Sequence, residues 1–173
     1  MVQWYITQVQ LAERPGMAEL AQVVAEDNEI PAIPDLLNTI IQGGDTSSWT
    51  ADELVMAELA LSRIDESIED TQAMIDGYLR QRGHRLPLAT VPRQLANWAR
   101  AIVRYQLNRN RTGDERTDPV IRDYKDALKF LQRVADGDYS LGIDDKLPVA
   151  GGSPQVTGPG RTFDMDSLRT FGK

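Results

Sequence analysis

The 173-residue chain contains no cysteine and a single histidine. The first absence excludes disulfides, thiolate metal sites and cysteine nucleophiles together, and a reducing compartment is its simplest reading. The second leaves His84 with no second histidine, no cysteine and no nearby serine, so a catalytic imidazole has no partners to work with. His84 follows a glycine expected to end a helix, where an exposed histidine needs no special account. A phosphate-binding glycine loop and a helical Glu-x-x-His metal signature are also missing. The chain therefore reads as a non-enzyme, with no cofactor, catalytic residue or metal ligand to name. The opening MVQWYITQVQ has neither a basic n-region nor an apolar h-region, and no apolar run approaches the length of a membrane span. The expectation is a soluble protein with no membrane partner, not exported by a signal peptide.

Acidic residues are missing from one stretch in particular. The formal net charge is -7, which argues against a general nucleic-acid binder, but the charge is segregated. Residues 1–50 hold one base, Arg14, against seven acids, and residues 51–82 hold three bases against eight. Residues 83–113 then hold six arginines, Arg85, Arg93, Arg100, Arg104, Arg109 and Arg111, and no acid at all. Oppositely charged segments of this kind complement each other within one subunit or between neighbouring subunits, and such complementarity chiefly sets orientation and partner choice.

What is present is helix, and with 41% hydrophobic residues the chain can bury one core. Residues 49–82 carry Leu54, Ala57, Leu61, Ile64, Ile68, Thr71, Ile75 and Tyr78 at alternating steps of three and four, the mark of one long helix with a single apolar seam. Thr50 and Glu53 form a capping box, Trp49 and Leu54 a staple across it, and Gly83 ends the helix. At about 1.5 Å per residue it is roughly 48 Å long, more than a compact domain of this size needs, which suggests a partner outside the subunit. Asp65, Glu66, Glu69 and Asp70 make two like-charge pairs on it at four-residue spacing. A divalent metal is the less favoured reading of these carboxylates; a solvated face, or one that meets arginines, is preferred.

Shorter helices surround this one. Thr7 and Gln10, flanked by Ile6 and Leu11, repeat the capping box at a first helix that Pro15-Gly16 interrupts, and Met17, Leu20, Val23 and Val24 mark the next. Prolines 31 and 34 bar a helix interior, and Leu36, Leu37, Ile40 and Ile41 behind them read as a turn or two covering the core edge, or as a docking peptide. From Pro92 to Asn110, Leu95, Trp98, Ala99, Ile102 and Val103 share an apolar face, while Arg93, Arg100, Arg104 and Arg111 line another. That stripe suits the acidic helix of a neighbour, or phosphates, or pairing within its own subunit. A last helix, capped by Asp118-Pro119 and ending near Gly137, turns Ile121, Tyr124, Leu128, Leu131 and Val134 inward.

Beyond Leu141 the glycine- and proline-rich chain cannot build a core of its own, yet its end regains apolar residues. The expected organisation is all-α: a small helical domain, residues 1–142, with one long central helix and packed helices around it, followed by an extended arm, residues 143–173. Arg161, Phe163, Met165, Leu168, Arg169 and Phe171 are the candidate partner-docking residues of that arm. The candidate inter-subunit charge faces are Asp65, Glu66, Glu69 and Asp70 against Arg93, Arg100 and Arg104.

Five blocks, WYITQVQLAER, AMIDGYLRQRGHRLPLATVP, AIVRYQLNRNR, YKDALKFLQRVADGDYSLG and GPGRTFDMDSLRTF, together resemble the gp36-type family of small proteins of Mu-like bacteriophages and prophages. The segment 29–48, with its extra prolines, departs most from that family. The resemblance implies a head-tail connector or adaptor, similar to the head-completion proteins of long-tailed phages, with no catalytic residues to transfer. It implies a homo-oligomeric ring, usually of twelve copies, on the portal vertex. The helices of residues 50–82 and 92–110 would then build the ring. The arm 147–173 would dock to the portal protein or to a neck or tail-terminator protein, with DNA passing through the channel. The implied location is the virion neck, and the host cytoplasm during assembly. The alternative is a DNA-binding or packaging-regulatory helical protein that uses Arg93, Arg100 and Arg104.

Overall fold

The computed structural model describes residues 3–25, 32–108 and 117–143, and among these every regular element is helical. Helix α1 (Gln8–Leu11) starts at the expected box: the Thr7 hydroxyl accepts from the Gln10 N–H, and the Gln10 side chain accepts from the Thr7 N–H. The chain then breaks direction over Ala12–Gly16, where Arg14 is extended and Gly16 adopts φ 116°. That φ lies outside the reach of ordinary side chains, so the glycine is what lets α2 (Met17–Val24) begin. Pro34 opens α3 (Pro34–Ile41), and Leu36 and Leu37 behind it are fully buried. The proline-led run is thus core packing and not a free docking peptide.

Helix α4 (Ala51–Arg82) forms as the sequence pattern predicts, with the Thr50–Glu53 capping box at one end and Gly83 in the left-handed conformation at the other. Its seam is continuous from Ala57 to Leu79. Four positions differ from the sequence pattern: Leu54 and Tyr78 are only half-buried, while Ala60 and Leu79 join the core. A strict seven-residue series slips by roughly 20° per heptad on a straight helix. Three heptads therefore carry Tyr78 to the flank.

Helices α5 (Arg93–Leu107) and α6 (Pro119–Asp136) pack on α4 and on each other, while α2 and α3 pack on α4 and on each other. Residue contacts order these groups along the long helix: Arg63 donates to the Val24 carbonyl of α2, Thr71 donates to Gln106 of α5, and the Arg82 guanidinium lies over Gly137 at the end of α6. This answers the length of α4. Its first half walls one group and its second half the other, so the apparent excess is used inside the subunit.

The apolar faces otherwise fall as the spacing predicts. Leu95, Ala99, Ile102 and Val103 of α5 and Ile121, Leu131 and Val134 of α6 are buried, with Ala127 and Ala135 added. Trp98, Tyr124 and Leu128 are half-buried against the core. Trp98 stacks on Phe130 at 5.6 Å between ring centres, with Tyr139 edge-on to both. Tyr105 stacks on Tyr124 at 3.9 Å. Pro92 stands at the N-cap of α5, one residue before the helix. No helix of the described residues is long and apolar enough to cross a membrane.

Candidate functional site

Four of the carboxylates of α4, Asp65, Glu66, Glu69 and Asp70, all project into solvent, because they lie off the seam of the helix. Asp65 accepts a hydrogen bond from the Gln8 side-chain amide at 2.6 Å, which fixes it beside α1. Among the described residues no ion pair reaches Asp65, Glu66, Glu69 or Asp70. Among the described residues the acidic face of α4 and the arginine stripe of α5 therefore do not meet, although their charges match.

The stripe itself divides. Arg104 is turned back into its own subunit, where Nε and Nη2 grip the two carboxylate oxygens of Glu19 on α2. Arg93 is exposed with no carboxylate beside it among the described residues. Arg100 is half-buried; its Nη1 donates to Asn97 Oδ1 at 2.9 Å, and its Nε is buried without a hydrogen-bond acceptor. Burial holds the Arg100 pKa below its ordinary value, the nearby positive charge of Arg14 adds to that, and Glu13 opposes it. Of the three predicted basic residues, Arg93 is open to an outside acid and Arg100 only in part. His84, expected to be exposed, is half-buried, with its N–H closing the end of α4 on the Leu79 carbonyl.

A second feature adjoins the acidic face. The segment before α1 is pinned along α4: the Tyr5 N–H donates to Gln72 Oε1 at 3.0 Å, and the Tyr5 hydroxyl donates to Asp76 Oδ1 at 2.5 Å. Burial, followed by the hydrogen bond to Asp76, pushes the Tyr5 phenol far above its ordinary value of 10.0. Pinning Tyr5 inward turns Trp4 outward, and Trp4 is 39% exposed and Val9 50% exposed. With Ile41 and Ile68 they wall an open groove of about 400 Å³, edged by Asp65 and Glu69. Sequence reasoning did not single out this groove. A signal was available, because Val9 and Leu11 stand two apart on one helix and cannot both face inward. Leu11 is the buried one.

Val55 and Leu59, one turn apart on the outer side of α4, are also more than half exposed. The candidate docking residues Arg161, Phe163, Met165, Leu168, Arg169 and Phe171 lie outside the described residues. Among the described residues no group of three or more His, Asp or Glu side chains is gathered closely enough to hold a metal.

A family model described as "Bacteriophage Mu, Gp36" matches residues 5–157 of the chain. The chain is also similar to the "Mu-like prophage FluMu protein gp36" of Haemophilus influenzae, with 42% identity over 84 residues, which is 49% of this chain and 56% of the relative. The matched stretch thus spans little more than half the length of that curated relative.

Proposed function

The chain belongs to the bacteriophage Mu Gp36 family, and on that premise we propose that it is a structural, non-enzymatic subunit of the virion neck. In this reading it is a head-tail connector: copies form a closed ring on the portal vertex, the C-terminal arm grips the portal or a neck or tail-terminator protein, and DNA passes through the channel. Its place is the virion, reached by assembly in the host cytoplasm.

The observation that carries the reading is charge complementarity left open within the chain. Asp65, Glu66, Glu69 and Asp70 of α4 make no ion pair among the described residues, and neither do Arg93 and Arg100, although Glu13 lies near enough to Arg100 to act on its charge. Faces that match but do not meet inside a subunit can meet between subunits, and a head-to-tail pairing of two different faces builds a ring when its rotation closes. The net charge of -7 is consistent with a channel through which phosphates must slide. Duplex binding through Arg93, Arg100 and Arg104 is the weaker alternative, since Glu19 neutralises Arg104.

Sedimentation of the full-length protein, alone and mixed with portal rings, tests the proposal. A ring in either setting, or co-sedimentation with the portal, is the expected result. A chain that stays monomeric and separates from portal rings overturns it.

A further inference from the structure

The groove beside α1 has the chemistry of a receptor for a paired aromatic and cationic side chain. Trp4 and Val9, both well exposed, stand over Ile41 and Ile68, so apolar surface that could be covered is left open to water. At its edge, Asp65 and Glu69 are one turn apart on α4, about 5–6 Å between their β-carbons. The Gln8 amide holds Asp65 at 2.6 Å, so the edge carboxylate is positioned before any ligand arrives.

The chain itself supplies a matching ligand, twice. Arg161-Thr162-Phe163 and Arg169-Thr170-Phe171 are the same tripeptide, near the C-terminal end of the sequence. In an extended segment, residues two apart project from the same side, roughly 7 Å from each other. Arginine and phenylalanine so presented reach a carboxylate and an adjoining apolar wall together, and Arg can grip a carboxylate with two parallel hydrogen bonds.

We propose that the groove formed by Trp4, Val9, Ile41 and Ile68, with Asp65 and Glu69 at its edge, receives an Arg-Thr-Phe motif from the C-terminal segment of a second copy of this chain. The length of chain allows it. Arg161 lies 18 residues beyond Ile143, the last described residue, and an extended chain of that length spans about 60 Å. That exceeds the roughly 48 Å length of α4, the longest helix among the described residues. The inference rests on the ring reading above and deepens it, naming the surface through which adjacent copies are tied.

The absence of cysteine makes the test clean, because every introduced thiol is unique. Two full-length variants, Val9→Cys carrying a size tag and Phe171→Cys without one, are mixed and oxidised, with Phe163→Cys in parallel. The oligomer mass is measured on the same mixture. The expected result is an oligomer in which one tagged and one untagged chain become disulfide-linked, with the yield falling at least fivefold when Asp65→Asn and Glu69→Gln are added to the tagged chain. An oligomer with no such link overturns the inference and leaves the ring intact. So does a link that forms only inside a Val9→Cys/Phe171→Cys double variant diluted into cysteine-free protein. If the mixture stays monomeric with and without portal rings, the ring reading fails first and this inference with it.

Discussion

Both carboxylate oxygens of Glu19 are held by one side chain: Arg104 donates to Oε1 from Nε and to Oε2 from Nη2, the second at 3.0 Å. The pair joins α2 to α5 across 85 residues of sequence and is about one-third exposed on both sides. Water and salt therefore screen it, but the two-point geometry and shared rigid helices keep it at the upper end of surface pairs, about 1 kcal/mol. A double-mutant cycle of Glu19→Gln and Arg104→Gln, read by urea unfolding, should return a coupling of that size. A coupling indistinguishable from zero would show that the helices hold their positions without it.

Tyr5 makes the second long-range tie, and its titration gives stability a pH signature. Burial and the Asp76 hydrogen bond raise its folded pKa well above 10.0. Below that value both folded and unfolded chains keep the phenolic proton. Above it the unfolded chain loses the proton while the folded one retains it, so folding stability falls as pH rises. The wild-type protein should thus lose stability more steeply above about pH 10 than Tyr5→Phe does. At neutral pH Tyr5→Phe should cost about 1 kcal/mol, the net worth of an ordinary hydrogen bond. Parallel slopes for the two proteins above pH 10 would remove Tyr5 from the linkage.

The two helix-ending glycines allow a controlled comparison. Gly83 and Gly137 have nearly the same backbone, φ 91° and 88°, and replacing either by alanine should cost roughly 1–2 kcal/mol for placing an L-residue in the left-handed region. Only at Gly137 would the new β-carbon come within 2.9 Å of the Arg82 guanidinium, whereas the space around Gly83 is open. Arg82 can swing aside, so the surplus at Gly137 should be a few tenths of a kcal/mol and should vanish in an Arg82→Ala background. Thermal unfolding of the four variants decides the point.

The features that could be read from sequence are those fixed within a few residues. Thr7 with Gln10, Thr50 with Glu53, and the glycines at 83 and 137 each declare a helix boundary through neighbours three or four positions away. The seam of α4 was legible for the same reason, up to the last heptad, where accumulated drift exchanged Tyr78 for Leu79. What could not be read depends on distant chain segments. Nothing near Glu19 signals that Arg104 will reach it, so one member of the arginine stripe is taken up inside the subunit. The groove combines Trp4 and Val9 with Ile41 and Ile68, which stand far apart in the sequence and become neighbours only in the fold. The length of α4 was visible, but its cause was not, because two sets of helices share that one wall.

The acidic face offers the sharpest separation between folding and assembly. Asp65 with Glu69 and Glu66 with Asp70 are like charges four residues apart on one helix, all exposed, and each such pair destabilises the helix by about 0.2–0.5 kcal/mol. Replacing all four by Asn or Gln should therefore leave the isolated chain as stable as before, or more stable by up to roughly 1 kcal/mol. The same replacement removes the charge proposed to face arginines of the next copy, Glu66 and Asp70 toward Arg93 and Arg100, and Asp65 with Glu69 toward the arginine of the Arg-Thr-Phe motif, so ring formation should weaken. The remaining ring should lose most of its sensitivity to salt, because screening acts only on charges that are present. Unfolding and sedimentation of one variant then move in opposite directions. If the neutralised protein assembles as well as wild type across a salt series, the α4 carboxylates are a solvated face and the ring must be held by other contacts, the apolar side chains of Val55 and Leu59 among them.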